Sequence, residues 1–182
     1  IEAARILWAW NTVQNAARAG ARYATTGNYD IDCSTQDIPK YADICSDLDL
    51  YRSASVIDET HRNLSGLPLN EAVNSTFEDI DYYSIEIYGV DQLGQLKGTN
   101  LPDPYGPAPF AGSPNKPVIV RVIYRVPIIT PFFSPILPSI PVFGQTTLYN
   151  EPFGQLGGTG QSAGAPPPIP ALPTAGVTPS FT

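Results

Sequence analysis

Several residue types that support common protein activities are scarce or missing in this 182-residue chain. It has no Met, two Cys and one His, which are too few thiol and imidazole groups for a zinc site. Only ten Lys and Arg stand against seventeen Asp and Glu, which gives a net charge of −7. Because no basic tract is present either, the composition argues against a nucleic-acid partner.

Recognisable catalytic motifs are also missing. The sequence contains no G-x-S-x-G, no H-E-x-x-H, no P-loop and no dinucleotide fingerprint. The single histidine, His61, lies on the apolar side of a predicted helix, where we expect a packed, hydrogen-bonded side chain. The acidic residues do not follow the spacing of an EF-hand loop. We therefore predict no enzymatic activity, no catalytic residue, no cofactor and no metal site.

Long hydrophobic runs are lacking as well. The apolar stretch from Ile1 to Trp10 is far shorter than the roughly 20 residues that span a bilayer. It nevertheless begins inside a helical pattern without an N-cap residue. We expect it to be the end of a hydrophobic segment that precedes it in a longer, exported precursor.

The first two dozen residues form the most informative stretch, a predicted helix with two different halves. From Asn11 onward a polar stripe opposes an apolar stripe at the spacing of an amphipathic helix. Before Asn11, apolar side chains point around most of the circumference, and a helix of that kind must be enclosed by something. The apolar residues of both halves include Ile6, Leu7, Trp8, Trp10, Val13, Ala17 and Ala21.

The remaining pattern predicts a second helix and three strands. The helix begins at Ser46 or Asp47 and is stopped by Gly66 and Pro68. Tyr and Ile enrichment predicts a strand within Phe77–Val90. PVIVRVIYRVP predicts another, in which Val118, Val120, Val122 and Tyr124 face one way and the residues between them face the other. A last strand is predicted for GQTTLYN, residues 144–150.

Three segments are predicted to be irregular. Residues 28–46 read as an acidic loop, and 92–117 as a flap of turns. Between the last two strands, PIITPFFSPILPSIPVFG should be extended and adhesive, because its prolines exclude a helix or a central strand. Residues 152–182 carry no charge and are rich in Pro and Gly, which is typical of an extended arm.

These elements predict an α+β protein with a long N-terminal helix, a shorter second helix and a small, mainly antiparallel sheet of three or four strands. The domain boundaries follow: an assembly helix at 1–27, an α+β domain at 28–151 and an extended C-terminal arm at 152–182. In the acidic loop, Cys33 and Cys45 can form a disulfide in an oxidising compartment, which would add roughly 2–3 kcal/mol. Two unpaired thiols are the alternative.

The segment WAWNTVQNAARAGARYATTGNYD closely resembles the TadE-like family of pilus proteins, whose members carry "N-x-V-Q-N-A-A-R-x-G-A-R-Y-A" after a hydrophobic helix. The later stretches YRVPIITPFF and GQTTLYNEP follow the order of elements in that family. The resemblance implies a pilin-like protein of the tight-adherence pilus system, exported and either membrane-anchored or built into a filament. The flap and the arm have no counterpart in the resemblance.

The sequence is compatible with three functions. The first is a structural subunit of an extracellular, cell-surface filament, with copies of itself or other pilus components as partners. The second is a membrane-anchored assembly factor, and the third is a secreted adhesion module. For the filament, the predicted assembly residues are Ile6, Leu7, Trp8, Trp10, Val13, Ala17, Ala21, Phe132, Phe133 and Ile136. Asn63 and Asn74 begin N-x-[ST] sequons and are candidate glycosylation sites.

Overall fold

A computed structural model describes residues 1–28, 48–99, 108–132 and 134–152. In these ranges the chain forms two helices, α1 (Glu2–Thr25) and α2 (Leu48–Arg62). It also forms four strands, β1 (Tyr83–Val90), β2 (Leu96–Gly98), β3 (Pro117–Pro127) and β4 (Ser139–Tyr149). The strands pair antiparallel in the order β2-β1-β3-β4, which confirms the predicted α+β class.

Some predictions fall outside the described residues. They are the disulfide between Cys33 and Cys45, the assembly residue Phe133, the middle of the flap and the arm after Pro152. These remain predictions.

The amphipathic half of α1 packs against the sheet of its own domain. Its buried stripe consists of small side chains, and Val13, Ala17 and Ala21 are fully buried. Small residues allow the helix to approach closely, and Gly20 accordingly faces Thr60 of α2 and Val120 of β3. The helix ends before Gly27, which has the positive φ of 68° that glycine tolerates best.

The alternation of β3 divides the sheet into two faces. Val118, Val120, Val122 and Tyr124 share one face, as their alternation predicts, and this face packs in the core with α1. The odd-numbered residues of β3 point to the opposite face, where Arg121 lies across from Glu86 of β1. The two charged side chains form an ion pair.

The strand boundaries differ from the predicted ones in three places. β1 begins at Tyr83, because the chain turns before it and Asp81 has a φ of 59°. β2 is a short strand inside the predicted flap. β4 starts at Ser139, five residues before the predicted start, and contains Pro141. Proline is tolerated there because β4 is an edge strand of the described sheet.

Candidate assembly surface

The first turns of α1 present large apolar side chains to solvent. Trp8 and Trp10 are 50% and 45% exposed, and Leu7 is exposed as well. Ile6 points inward far enough to pack against the core. The indole of Trp8 lies beside Gly66, so that one edge of its ring is covered by the segment that follows α2. The domain therefore shelters the two tryptophans only in part.

The structure requires a correction at three of the predicted assembly residues. Val13, Ala17 and Ala21 are 0% exposed and contribute to the hydrophobic core of their own domain. Their side chains are already covered, so we no longer assign them to a contact between copies. The physical reason is that an apolar helical stripe packs equally well on an intramolecular sheet or on a neighbouring molecule.

A second group of exposed apolar side chains lies in the connection between β3 and β4. Phe132 and Ile136 are 76% and 80% exposed, and Ile129 and Leu137 are exposed too. The connection closes a hairpin, because β3 and β4 pair along their whole length from Pro117–Tyr149 to Pro127–Ser139. It therefore lies at one end of the sheet.

Hydrogen bonds from Glu2 and Arg5 attach this connection to the beginning of α1. Glu2 Oε1 accepts from the amide of Ile129 at 3.1 Å and from the hydroxyl of Thr130 at 2.8 Å. Arg5 donates to the carbonyl of Pro127 at 3.3 Å and pairs with Glu2 at 3.2 Å. The hydrogen bond from Thr130 is the main reason why the pKa of Glu2 is lowered. The two exposed apolar groups thus share one end of the molecule.

We call this surface the apolar end. It contains eight of the twelve exposed large apolar side chains in the described part of the chain, so their distribution is strongly uneven. Its members are Ile1, Leu7, Trp8, Trp10, Ile129, Phe132, Ile136 and Leu137. The sequence predicted five of them, whereas it missed Ile129 and Leu137 in the proline-rich segment and did not use Ile1. It also missed the anchoring role of Glu2, because the partner of Glu2 is 128 residues away.

We expect the attachment of the connection to weaken in acid. Because the pKa of Glu2 is lowered in the folded protein, its stabilising effect is complete above the ordinary pKa of a glutamate and is lost as the pH falls through the lowered value. The amide shift of Ile129, followed by NMR, should titrate with a midpoint below the ordinary value of about 4.3. In Glu2→Gln this titration should disappear, whereas the exposed-site control Glu78→Gln should keep it. A midpoint at or above the ordinary value would contradict the role of Glu2.

A buried ionic cluster occupies the opposite face of the sheet. Arg121 Nε and Nη2 lie 2.6 and 2.5 Å from Glu86 Oε2, and both side chains are almost inaccessible. Arg121 Nη2 also donates to the hydroxyl of Tyr88 at 2.8 Å, and that hydroxyl donates to Glu86 at 2.9 Å. Burial and the charge of Glu86 raise the pKa of Tyr88 to about 12. All three polar groups therefore have partners, as a structural cluster requires.

His61 belongs to another hydrogen-bonded group, which joins α2 to β1. Its Nε2 lies 2.9 Å from Glu71 Oε1, and the hydroxyl of Tyr83 donates to Glu71 Oε2 at 2.6 Å. The rings of His61 and Tyr83 are 5.7 Å apart. The expectation of a packed, hydrogen-bonded histidine is confirmed.

The two candidate glycosylation sites differ in their surroundings. Asn63 lies just after α2, and its amide donates to the carbonyl and the carboxylate of Glu59 at 2.8 and 3.0 Å. Asn74 is exposed in a turn. Modification at either site remains a prediction.

Within 1–28, 48–99, 108–132 and 134–152, no three His, Cys, Asp or Glu are grouped to hold a metal ion. Neither described helix combines the length and the apolar character that crossing a membrane requires. Comparisons with protein-family models, with curated proteins and with solved structures gave no match.

Proposed function

We propose that this protein is a structural subunit of an extracellular, pilus-like filament, and that copies of the chain associate through the apolar end. The observation that supports this function is the concentration of exposed large apolar side chains at the apolar end, which holds eight of the twelve in the described part of the chain. A monomeric soluble protein rarely exposes a large contiguous apolar patch, and such patches mark association sites.

The energetics favour covering this surface. Complete burial of one large apolar side chain is worth about 1.5–3 kcal/mol, so a contact that covers even a few of them gains several kcal/mol. The charged groups beside the patch add little cost, because Glu2 and Arg5 neutralise each other within the chain. A second copy of the same uncharged surface is therefore a suitable partner.

A filament requires that the contacts of each copy, taken together, do not close into a pair or a ring. A contact between different patches of identical subunits generates a helical polymer unless its rotation happens to close a ring. We propose that the uncharged arm, residues 152–182, contributes such contact area by lying along the neighbouring subunit. Export and a pilin-like role, which the TadE-like resemblance implies, belong to the same proposal.

One observation favours the membrane-anchored assembly factor as a second candidate. The apolar end lies where α1 begins, so a hydrophobic segment upstream of Ile1 would place Trp8 and Trp10 close to a lipid surface. Tryptophan is enriched at such interfaces. In this case, the apolar end would be covered by lipid and not by another copy.

Electron microscopy and sedimentation velocity test the proposal. Wild-type protein should form fibres, whereas Phe132→Ser/Ile136→Ser should weaken association at least about 10-fold, since two large apolar side chains lose their burial. The control Val73→Ser/Leu93→Ser removes two side chains that are 69% and 84% exposed elsewhere, and fibres should persist.

Wild-type protein that remains in discrete monomers at high concentration would reject the filament. Flotation of those monomers with lipid vesicles, lost in Phe132→Ser/Ile136→Ser, would then favour the membrane-anchored factor.

A further inference from the structure

β4 is an edge strand of the described sheet, and its backbone groups alternate between two directions. The even-numbered residues face β3, because the amide of Asn150, just after the strand, donates to Lys116 on the β3 side at 3.0 Å. The odd-numbered residues face outward, since the carbonyl of Phe143 accepts from the side chain of Gln14 at 3.1 Å and not from β3. β3 agrees with this alternation, because the backbone amide of its odd-numbered residue Arg125 donates to the β1 side and not to β4.

The outward backbone groups of Gln145 and Thr147 have no hydrogen-bond partner among the described residues. Edge strands are usually protected against pairing by charged side chains, proline or a bulge. β4 contains no charged residue, and among the described residues its outward edge is protected at Pro141, which lacks an N–H, and at Phe143, which Gln14 covers. The outward backbone groups of Gln145 and Thr147 form a short open pairing edge within the described part of the chain.

We propose that this edge pairs antiparallel with β4 of a second copy, as a deeper feature of the self-assembly proposed above. The register follows from the free groups: Gln145 of each copy lies opposite Thr147 of the other. Each of these two pairs exchanges an amide and a carbonyl in both directions, as hydrogen-bonded antiparallel pairs do. In either neighbouring register, one of these two residues would have to pair with Phe143, whose carbonyl already accepts a hydrogen bond, or with Tyr149.

Three properties make a second copy the fitting occupant. Antiparallel pairing of two identical strands is symmetric, so one edge supplies both halves of the contact. The strand is uncharged, so two copies meet there without like charges in spite of the net charge of −7. The two-fold axis of this pairing passes between the two copies of Thr146, so these residues lie opposite each other. A cross-strand Thr–Thr pair is favourable in antiparallel sheets.

The edge and the apolar end would then give every copy two separate contacts. Either contact alone can produce a pair, whereas both together link copies into a chain. The edge contact can therefore be measured by itself in Phe132→Ser/Ile136→Ser, in which the apolar end is weakened.

Hydrogen–deuterium exchange and sedimentation velocity in that background test the pairing. The amides of Gln145 and Thr147 should exchange at least about 10-fold more slowly at high than at low protein concentration, and dimers should appear. Thr147→Pro removes an outward N–H without interrupting the β3–β4 ladder and should abolish the dimer. The matched control Thr147→Val keeps the N–H and should retain it. If Thr147→Pro does not fold, Thr147→Lys places a charge on the edge and should have the same effect.

Fast exchange at every concentration, or slow exchange that does not depend on concentration, would overturn the pairing. Protection that appears only when another protein is added would assign the edge to a different partner and also overturn it. Dimers in this background combined with a wild type that forms no fibres would reject the filament but leave the edge contact standing.

Discussion

Arg121→Met should lower the free energy of unfolding by about 3–5 kcal/mol, because it leaves the carboxylate of Glu86 buried without a compensating charge. In the folded protein Arg121 supplies that carboxylate with two short contacts and also donates to Tyr88. Methionine fills a similar volume, so that the loss reports mainly on the unpaired charge. Chemical denaturation at low protein concentration in the Phe132→Ser/Ile136→Ser background measures the effect without association.

Two further variants show whether the buried charge is the cause. Glu86→Gln/Arg121→Met removes the stranded charge and should recover a substantial part of the loss. Arg62→Met breaks the exposed pair with Asp58 and should cost about 0–1 kcal/mol, since water screens such pairs. Equal losses in the single and the double variant at the buried site would indicate a packing effect.

Gly144→Val should destabilise the domain by about 3 kcal/mol, at the upper end of the usual cost of overpacking. A Cβ at this position would lie 2.5 Å from the carbonyl oxygen of Val13 and 2.9 Å from the amide nitrogen of Gln14. Both atoms belong to the backbone of α1, so the clash cannot be relieved by turning a side chain. The helix would have to move away from β4.

Thermal and chemical denaturation of Gly144→Val can be compared with Gln145→Ala. Gln145 is the exposed neighbour on the same strand, and its truncation should change stability by no more than about 0.5 kcal/mol. A loss below about 1 kcal/mol for Gly144→Val would mean that α1 is not held as closely to β4 as described.

The sequence predicted the elements whose pattern is local. The alternation along β3 specified that Val118, Val120 and Val122 share one face, because successive residues of a strand point to opposite sides. The 3–4 residue spacing along α1 likewise identified its buried stripe. Both patterns arise because each element must cover one apolar face, and this requirement leaves a periodic trace in the sequence.

Contacts between distant residues left no such trace. Glu86 and Arg121 look like two ordinary charges in two strands, and only the register of β1 and β3 brings them together in a buried pair. Glu2 and Thr130 meet because the hairpin connection lies beside the first turn of α1. Pro141 could be assigned to a strand only once β4 was known to be at the edge of the sheet.

The first helix shows most clearly which features follow from local sequence and which from tertiary contacts. The sequence by itself determined that Trp8, Trp10, Val13 and Ala17 belong to an apolar helix that needs cover, because side-chain hydrophobicity and helical period are local properties. Only the tertiary structure decided which cover each residue receives. The sheet of the same domain covers Val13 and Ala17, but it leaves about half of each tryptophan exposed, since the curvature of one small domain cannot enclose a helix on all sides.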